Sequence, residues 1–337
     1  MRAFYHRPRS LCRNLSLSAL ALVLAGSSVA RAQTCLAASD LDPATKTALL
    51  ATAQTYFDAV ARGDSATLRQ NAIASLAADF SGIETAIHDN QDRLGGTQAV
   101  PRAPFLLEAQ GTTNLERAEF LCGVFGANGQ TADSAVFVIP NLPPGNYGVV
   151  TQDINTAKGP STISYILQQQ AGAWKLGGLY IKSSQAGGHD GNWFADRARA
   201  FKAKGQNHNA WFCYLEAREL LVPVSFMSTA VTDKLYDESE TVKPADLPPV
   251  DLAANGKTLK LTAMFPLAVA SDFDLVVKYE SASVANAALT YQDNVAVIKA
   301  LVAKYPELRQ VFDGVIARAV EPSGRDYGSM LLVKDVK

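Results

Sequence analysis

The sequence has few of the residues from which catalytic and metal sites are most often built. Only four histidines occur among 337 residues. The three outside the N-terminal segment, His88, His189 and His208, do not show the HExxH spacing of a zinc site. The GxSxG nucleophile motif and the GxGxxG and GxxxxGKS/T phosphate loops do not occur either. The sequence therefore predicts no bound metal and no nucleotide or other cofactor.

The sequence also lacks an excess of charge. The formal net charge is −1, and neither sign is clustered enough to form a patch. A nucleic-acid binder would need a basic surface to neutralise phosphates, so this class of partner is excluded. His189-Asp190 could be interpreted as a catalytic pair, but adjacent residues project differently and glycines flank them. We therefore interpret this dipeptide as part of a loop.

Long apolar runs are missing after the N-terminus. Basic residues precede the apolar run Leu15–Ala25, and Ala30-Arg31-Ala32 matches a small-x-small cleavage site. This arrangement predicts a bacterial-type secretory signal peptide over residues 1–32, cleaved after Ala32. Since no later stretch is long and apolar enough for a transmembrane helix, we expect an exported protein in the periplasm or outside the cell.

Three cysteines remain after that cleavage, namely Cys35, Cys122 and Cys213. In an oxidising compartment we expect two of them to pair. Cys213 lies on the apolar side of a predicted helix, where a free buried thiol behaves as a small hydrophobic residue. We therefore predict a Cys35–Cys122 disulfide, although spacing alone leaves the other pairings open. Gln33 and Thr34 match the lipobox poorly, which argues against lipidation of Cys35.

The first domain, residues 33–184, begins with helices and continues with strands. Asp42-Pro43 is a helix start, and the apolar spacing then predicts helices up to the Gly95-Gly96 break. Beyond the loop at Pro101–Pro104 the apolar period changes to two. The predicted strands are Glu119–Phe125, Ala135–Ile139, Tyr147–Ile154, Ile163–Gln169 and Trp174–Lys182. Two helical regions followed by a curved antiparallel sheet make an α+β domain, with Pro143-Pro144-Gly145 as a hairpin turn.

Two segments of this domain resemble the nuclear-transport-factor-two-like, or cystatin-like, cone fold. They are Tyr56-Phe57-Asp58-Ala59-Val60 with Gly63-Asp64 and Leu68, and the closing strand from Gly172 to Tyr180. That family wraps a curved sheet around a helix and leaves a cone-shaped pocket. Its members include isomerases, dehydratases and hydrolases as well as non-catalytic binding modules. The resemblance therefore implies a pocket between the helices and the sheet.

Aromatic residues of the helix and sheet are the candidates for lining that pocket: Tyr56, Tyr147, Tyr165, Trp174 and Tyr180. Strand alternation places Tyr147 and Asp153 on one face of a strand, and Trp174, Leu176 and Tyr180 on one face of another. A carboxylate in an apolar cone could act as a general base, which makes Asp153 the catalytic candidate. The alternative is that Asp153 is a solvent-exposed carboxylate at a strand end.

A second resemblance competes for the same region. Leu142-Pro143-Pro144-Gly145-Asn146-Tyr147 is similar to the L-P-P-G-x-Y corner of carboxypeptidase-regulatory-like β-sandwiches. The helices upstream and the ending from Trp174 to Tyr180 do not fit that family. We therefore keep the sandwich as the alternative to the cone.

Residues 185–223 are predicted to be a linker and a helical hairpin. Phe194, Ala198 and Phe201 lie on one helical face, Gly205 marks the turn, and a second apolar stripe follows up to Pro223. This stretch resembles one tetratricopeptide repeat. A lone repeat cannot bury its own apolar face, so we expect the hairpin to hold the flanking domains together.

The rest of the chain is predicted to be a connector and a small α+β domain. Residues 224–249 form an acidic and proline-rich connector, expected to be exposed and without regular structure. Residues 250–337 contain predicted strands at Thr258–Ala270 and Phe273–Ser281, a helix at Ala285–Lys304 and another from Pro306 to Ile316. The last strand, Tyr327–Val336, is expected to pair with Thr258–Ala270.

These features predict a function only in general terms. We expect an exported, non-catalytic binding protein whose partner is an apolar small molecule or another protein. The alternatives are a small cone-fold isomerase or hydrolase that uses Asp153, and a structural protein of the cell envelope.

Overall fold

The computed structural model describes residues 33–124, 129–269 and 272–336. The predicted signal peptide, residues 1–32, lies outside the described residues. The helices are α1 (Pro43–Ala61), α2 (Ser65–Gln70), α3 (Ala74–Ala78), α4 (Ser81–Leu94), α5 (Gly191–Ala203), α6 (Asn207–Leu221), α7 (Ala230–Glu240) and α8 (Ala287–Lys304). Short 3₁₀ turns lie at Pro306–Gln310 and Val333–Asp335.

Strands make up most of the remaining structure. In the N-terminal half they are β1 (Thr34–Leu36), β2 (Ala99–Pro101), β3 (Phe105–Ala109), β4 (Leu115–Val124), β5 (Gln130–Leu142), β6 (Gly145–Thr156), β7 (Gly159–Gln170) and β8 (Ala173–Ser183). After them come β9 (Gln185–Ala186), β10 (His189–Asp190), β11 (Met227–Thr229), β12 (Val250–Ala254), β13 (Lys257–Val269), β14 (Asp272–Glu280), β15 (Gly314–Val320) and β16 (Asp326–Leu332). The predicted α+β class is confirmed.

The N-terminal half has a sheet between two unlike layers. This first sheet has the order β1-β3-β6-β7-β8, with β2 also paired to β6. Helices α1 to α4 cover one face, where Leu49, Val60, Tyr165 and Leu176 are buried in one hydrophobic cluster. A second sheet, of order β11-β5-β4, covers the other face through a smaller cluster that includes Phe120 and Phe137.

The expected hairpin turn at Pro143-Pro144-Gly145 is wrong. Strand β5 ends at Leu142 and β6 begins at Gly145, but the two strands belong to different sheets. Proline lacks the N–H that a continuing ladder would need, so the two prolines end pairing in the second sheet before the chain enters the first. The five strands predicted for this domain correspond to β4–β8, but they do not form one meander.

The predicted disulfide between Cys35 and Cys122 is confirmed, with a Cα–Cα distance of 4.9 Å. Cys35 lies in β1 of the first sheet and Cys122 in β4 of the second, so the bond links the two sheets. Cys213 is the free cysteine of the described part and is buried, as expected.

The hairpin of α5 and α6 is confirmed, and it shares a hydrophobic cluster with the C-terminal sheet. Asp190 caps α5 by accepting a hydrogen bond from the Trp193 amide at 2.8 Å. The ring of Phe194 lies 4.8 Å from that of Phe273, measured between centroids. The apolar face of the α5–α6 hairpin is therefore buried against β14 and its neighbours.

The C-terminal sheet has the order β12-β13-β14-β15-β16, and α8 packs against it. The helix expected from Pro306 to Ile316 is wrong beyond Gln310, because β15 begins at Gly314 and pairs in parallel with β14. In sequence, a strand buried in the middle of a sheet is a short run of apolar residues. The spacing of apolar residues cannot distinguish such a strand from a segment of buried helix. The expected pairing of the last strand with β13 is also wrong, since β16 pairs with β15.

The predicted connector is partly helical. Thr229 and Thr232 form a capping box at the start of α7, and Leu235 is buried. The acidic residue Glu238 pairs with Arg199 of α5 at 2.8 Å. An unstructured connector was therefore the wrong prediction for Ala230–Glu240, because this segment forms a capped helix with a buried apolar residue and an ion pair to α5.

Removal of the disulfide tests its contribution to stability. The Cys35→Ser, Cys122→Ser double variant should lose about 4 kcal/mol in the free energy of unfolding. The two cysteines are 87 positions apart in the sequence, so the bond strongly reduces the conformational entropy of the unfolded chain. Urea unfolding measures the loss. Denatured, unreduced wild-type protein should titrate one thiol after removal of the signal segment, and three thiols would contradict the assigned bond.

Gly191 tests the close packing of the hairpin. A Cβ at this position would lie 2.6 Å from Leu221 Cγ and 2.9 Å from the carbonyl oxygen of Ala217. Gly191→Ala should therefore destabilise the protein by about 1–3 kcal/mol, measured by thermal or urea unfolding. Gly82→Ala in α4 is the matched control, since its added Cβ meets nothing within 4 Å. Equal stability of the two variants would contradict the close approach.

Candidate functional site

The space between the helices and the first sheet is filled by side chains. Tyr56, Tyr165 and Trp174 are buried there, and the rings of Tyr56 and Tyr165 lie 6.3 Å apart. The Tyr56 hydroxyl donates a hydrogen bond to the Trp174 carbonyl at 3.1 Å. Burial raises the pKa of Tyr165 well above its usual value, which keeps this hydroxyl protonated. These three aromatic residues therefore pack the core at the place where the cone resemblance implied a pocket.

The other two aromatic candidates lie elsewhere. Tyr147 is buried between the two sheets, and its hydroxyl donates to the Pro143 carbonyl at 2.8 Å. Tyr180 is 41% exposed and packs edge-on against Phe226 at 5.6 Å. The sheet thus does not bring the five candidates together around one cavity.

A β-bulge explains the position of Tyr180. The register between β7 and β8 shifts at Ile166/Leu167, where Gly177 is the extra residue of β8. After such a bulge the alternation of side chains is reversed, so Tyr180 faces away from Trp174 and Leu176. The expected shared face of these residues is therefore wrong. The glycine pair Gly177-Gly178 was the available sequence signal, because glycine inside a strand often marks a bulge.

Asp153, the catalytic candidate, lies at the surface of β6. Arg102 donates two hydrogen bonds to its carboxylate, at 2.9 and 2.6 Å, and about half of each side chain is exposed. Tyr147 is on the same face of β6, as predicted, but that face is opposite to the one that the helices cover. The placement agrees with the solvent-exposed alternative, and the expected position of Asp153 in an apolar cone is wrong.

A small cavity of about 200 Å³ lies where β9 and β10, the hairpin and β14 meet. His189 stacks on Trp193 at 3.7 Å there, and Arg197 and Cys213 also contribute to the lining. Burial raises the pKa of Cys213 to about 12, so its thiol stays protonated and unreactive. The cavity therefore does not contain an activated nucleophile at Cys213.

A larger groove, of about 520 Å³, opens between the C-terminal end of α6, the segment around β11 and the outer part of β13. Its apolar wall is formed by Leu215, Val222, Met227, Phe265 and Leu267. We call it the α6–β13 groove. Beyond Leu261 the outer side of β13 has no neighbouring strand in the described sheet, because β12 pairs only with Lys257 to Leu261. The groove occupies this open side.

Glu216 of α6 lines the groove and is only 5% exposed. Its carboxylate has no hydrogen-bond partner among the described residues. Loss of hydration, with a smaller contribution from the nearby negative charge of Glu219, raises the pKa of Glu216 to about 7, although Lys182 acts in the opposite direction. A buried carboxyl with a perturbed pKa in a cleft is a candidate functional group. No pattern in the sequence pointed to Glu216.

Lys182 does not neutralise Glu216 because its donors are engaged elsewhere. Its ammonium lies 2.6 Å from the Glu219 carboxylate and donates to the main-chain carbonyls of Glu219 and Val222. In this position Lys182 satisfies carbonyls that α6 leaves open at its C-terminus. Strand β8 thus holds the end of α6 but leaves the Glu216 carboxylate unpaired.

The described residues contain neither a cluster of metal ligands nor a helix that could span a membrane. Across residues 33–124, 129–269 and 272–336, no group of three or more His, Cys, Asp or Glu side chains is arranged to hold a metal ion. Within the same residues no helix combines the length and apolar character needed to cross a membrane. Comparison with known proteins found no matching family model, no matching curated protein and no matching solved structure. The resemblances drawn from the sequence therefore stay predictions.

The raised pKa of Glu216 predicts a specific dependence of stability on pH. Between about pH 4.5 and 7 the folded protein binds a proton that the unfolded chain has released, so the free energy of unfolding falls as pH rises. Glu216→Gln removes this dependence. Its stability relative to wild type should increase by about 2–3 kcal/mol from pH 4 to pH 8, measured by urea unfolding.

Glu84→Gln is the control for this measurement. Glu84 lies in α4, is half exposed and makes only a long ion pair, 3.8 Å, with Arg69. Its removal should change stability by less than about 1 kcal/mol. A Glu216→Gln variant whose stability runs parallel to that of wild type across the pH range would show that Glu216 is ionised without penalty.

Proposed function

We propose that this chain is an exported, non-catalytic binding protein whose ligand site is the α6–β13 groove. The observation that carries the proposal is Glu216, a residue only 5% exposed that lines an open groove and whose carboxylate has no hydrogen bond or ion pair to another described residue. An unpaired buried carboxyl is unfavourable unless a donor satisfies it. A ligand in the groove would supply that donor and would cover the apolar wall. Its binding would therefore be stabilised both by a hydrogen bond to Glu216 and by the removal of apolar surface from water.

Export is the second part of the proposal. The signal-type N-terminus, with cleavage after Ala32, would deliver the protein to the periplasm or the cell exterior of a bacterium. The Cys35–Cys122 disulfide is compatible with such an oxidising compartment. A bond that links two sheets would stabilise the fold there.

The groove is a better candidate than the predicted cone. The aromatic residues expected to line a cone pocket are packed between the helices and the sheet, and Asp153 is paired with Arg102 at the surface. The cone enzyme therefore has no supporting observation at its candidate base. The structural envelope protein likewise has no surface feature in its favour among the described residues.

Retention of small molecules from the native source tests the proposal. Wild-type protein should retain at least one compound from a metabolite extract after equilibrium dialysis, identified by mass spectrometry. Ser225→Trp, at an exposed position lining the groove, should lose that compound because the indole occupies the space. Val100→Trp is the control, since Val100 is 64% exposed and outside the groove. Equal retention by wild type and Ser225→Trp, or retention of nothing by any of them, would contradict the groove as the ligand site.

A further inference from the structure

The charge around Glu216 indicates which ligand the α6–β13 groove accepts, on the premise that the groove is the ligand site. Two charged side chains of α6, Arg218 and Glu219, line the groove together with Glu216. Lys182 of β8 acts on the Glu216 carboxyl through its charge, and Lys278 of β14 lies over Phe265 of the apolar wall. Lys182 is engaged by Glu219 and two carbonyls. Helix α7 contributes the neutral Thr232 to the lining.

The two remaining cations are directed to aromatic rings. The guanidinium carbon of Arg218 lies 4.8 Å from the ring centroid of Tyr236, and the ammonium of Lys278 lies 5.6 Å from that of Phe265. Each therefore makes a cation–π contact, and neither forms an ion pair with Glu216. Within the described residues, the Glu216 carboxylate is thus left for a group that enters from the groove.

The position beside Glu216 disfavours an anionic group, whereas the buried Nε of Arg218, in the same lining, has no hydrogen-bond partner among the described residues. A second negative charge beside Glu216 would meet the repulsion that Glu219 already exerts on it. A cationic donor instead forms a charge-assisted hydrogen bond with the carboxylate, and such bonds are stronger than neutral ones. Ser225 and Ser228 also line the groove, and their hydroxyls are further possible acceptors for a donor group of the ligand.

The shape of the groove defines the rest of the ligand. Its apolar wall runs from Leu215 on α6, and Val222 just after it, to Phe265 and Leu267 on β13. Its volume of about 520 Å³ exceeds that of a single polar headgroup. A linear hydrocarbon chain would cover this wall and gain the hydrophobic contribution of leaving water. An ammonium compound without such a chain would leave the wall hydrated.

We propose that the α6–β13 groove binds an aliphatic primary amine in its protonated form, with the ammonium at Glu216 and the hydrocarbon chain along the apolar wall. Binding requires the ionised carboxylate. Since the pKa of Glu216 is raised to about 7, only about a tenth of the protein is ready to bind at pH 6, and about nine tenths at pH 8. The apparent affinity should therefore rise about tenfold between these pH values.

Calorimetric titration with three six-carbon probes tests the proposal. Hexylamine, 1-hexanol and hexanoate have the same chain and differ in the headgroup. Wild-type protein should bind hexylammonium more tightly than the other two, and about tenfold more tightly at pH 8 than at pH 6. Glu216→Gln should weaken hexylammonium binding at least tenfold at pH 8 and remove the pH dependence. Glu84→Gln, which loses the same charge on α4, should bind as wild type does.

The outcomes separate the ligand class from the site. Equal binding of hexylammonium and hexanol, or an unchanged affinity in Glu216→Gln, would overturn the ammonium assignment and leave the groove as an apolar site. Tighter binding of hexanoate at pH 6 would overturn it in favour of a carboxylic acid that shares a proton with Glu216. Binding of none of the probes would overturn the inference, while the dialysis result with Ser225→Trp decides the proposed function independently.

Glu216→Gln is expected to be more stable than wild type at pH 8, so unfolding cannot mimic a loss of binding.

Discussion

The burial of one apolar helix face organises most of this protein. The α5–α6 hairpin presents a face of aromatic and small residues, and the C-terminal sheet covers this face. Phe194 packs on Phe273, which stacks on Phe312 at 5.0 Å, and Phe212 meets Phe312 from α6. This aromatic group joins the hairpin to β14 and to the segment before β15.

A different set of contacts fixes the hairpin to the N-terminal half. The C-terminal end of α6 is held by Lys182 of β8, and the chain that follows adds β11 to the second sheet by pairing with β5. Residues from Gln33 onward therefore form one compact unit rather than separate modules. The α6–β13 groove lies where these connections meet, since its lining includes α6, the β11 segment and β13. A ligand there would contact parts of the chain that are distant in sequence.

Many elements could be predicted because local spacing determines them. The apolar period gave the hairpin, with its turn at Gly205, and the strands that correspond to β4–β8. The wrong predictions concern which strands pair and which segments depend on residues that are distant in sequence. A buried strand at β15 resembled a helix, and a capped helix at α7 resembled an acidic connector. The β15 segment is a strand because it pairs with β14 and β16, and α7 is held in place by the burial of Leu235 in the cluster that it shares with the hairpin.

The sequence by itself determined the α+β class and the hairpin, because periodicity and turn residues are local properties. It favoured the Cys35–Cys122 pair through the place of Cys213 on an apolar stripe but left the other pairings open, and the structure decided between them. Only the tertiary structure decided which side chains face one another. One extra residue at Gly177 turned Tyr180 away from the core, and Asp153 lies on the face of β6 that the helices do not cover, where it pairs with Arg102. The unusual carboxylate, Glu216, is unremarkable in the sequence. Its character arises from desolvation by packing and from Lys182 being held by the end of α6, and neither can be read from spacing along the chain.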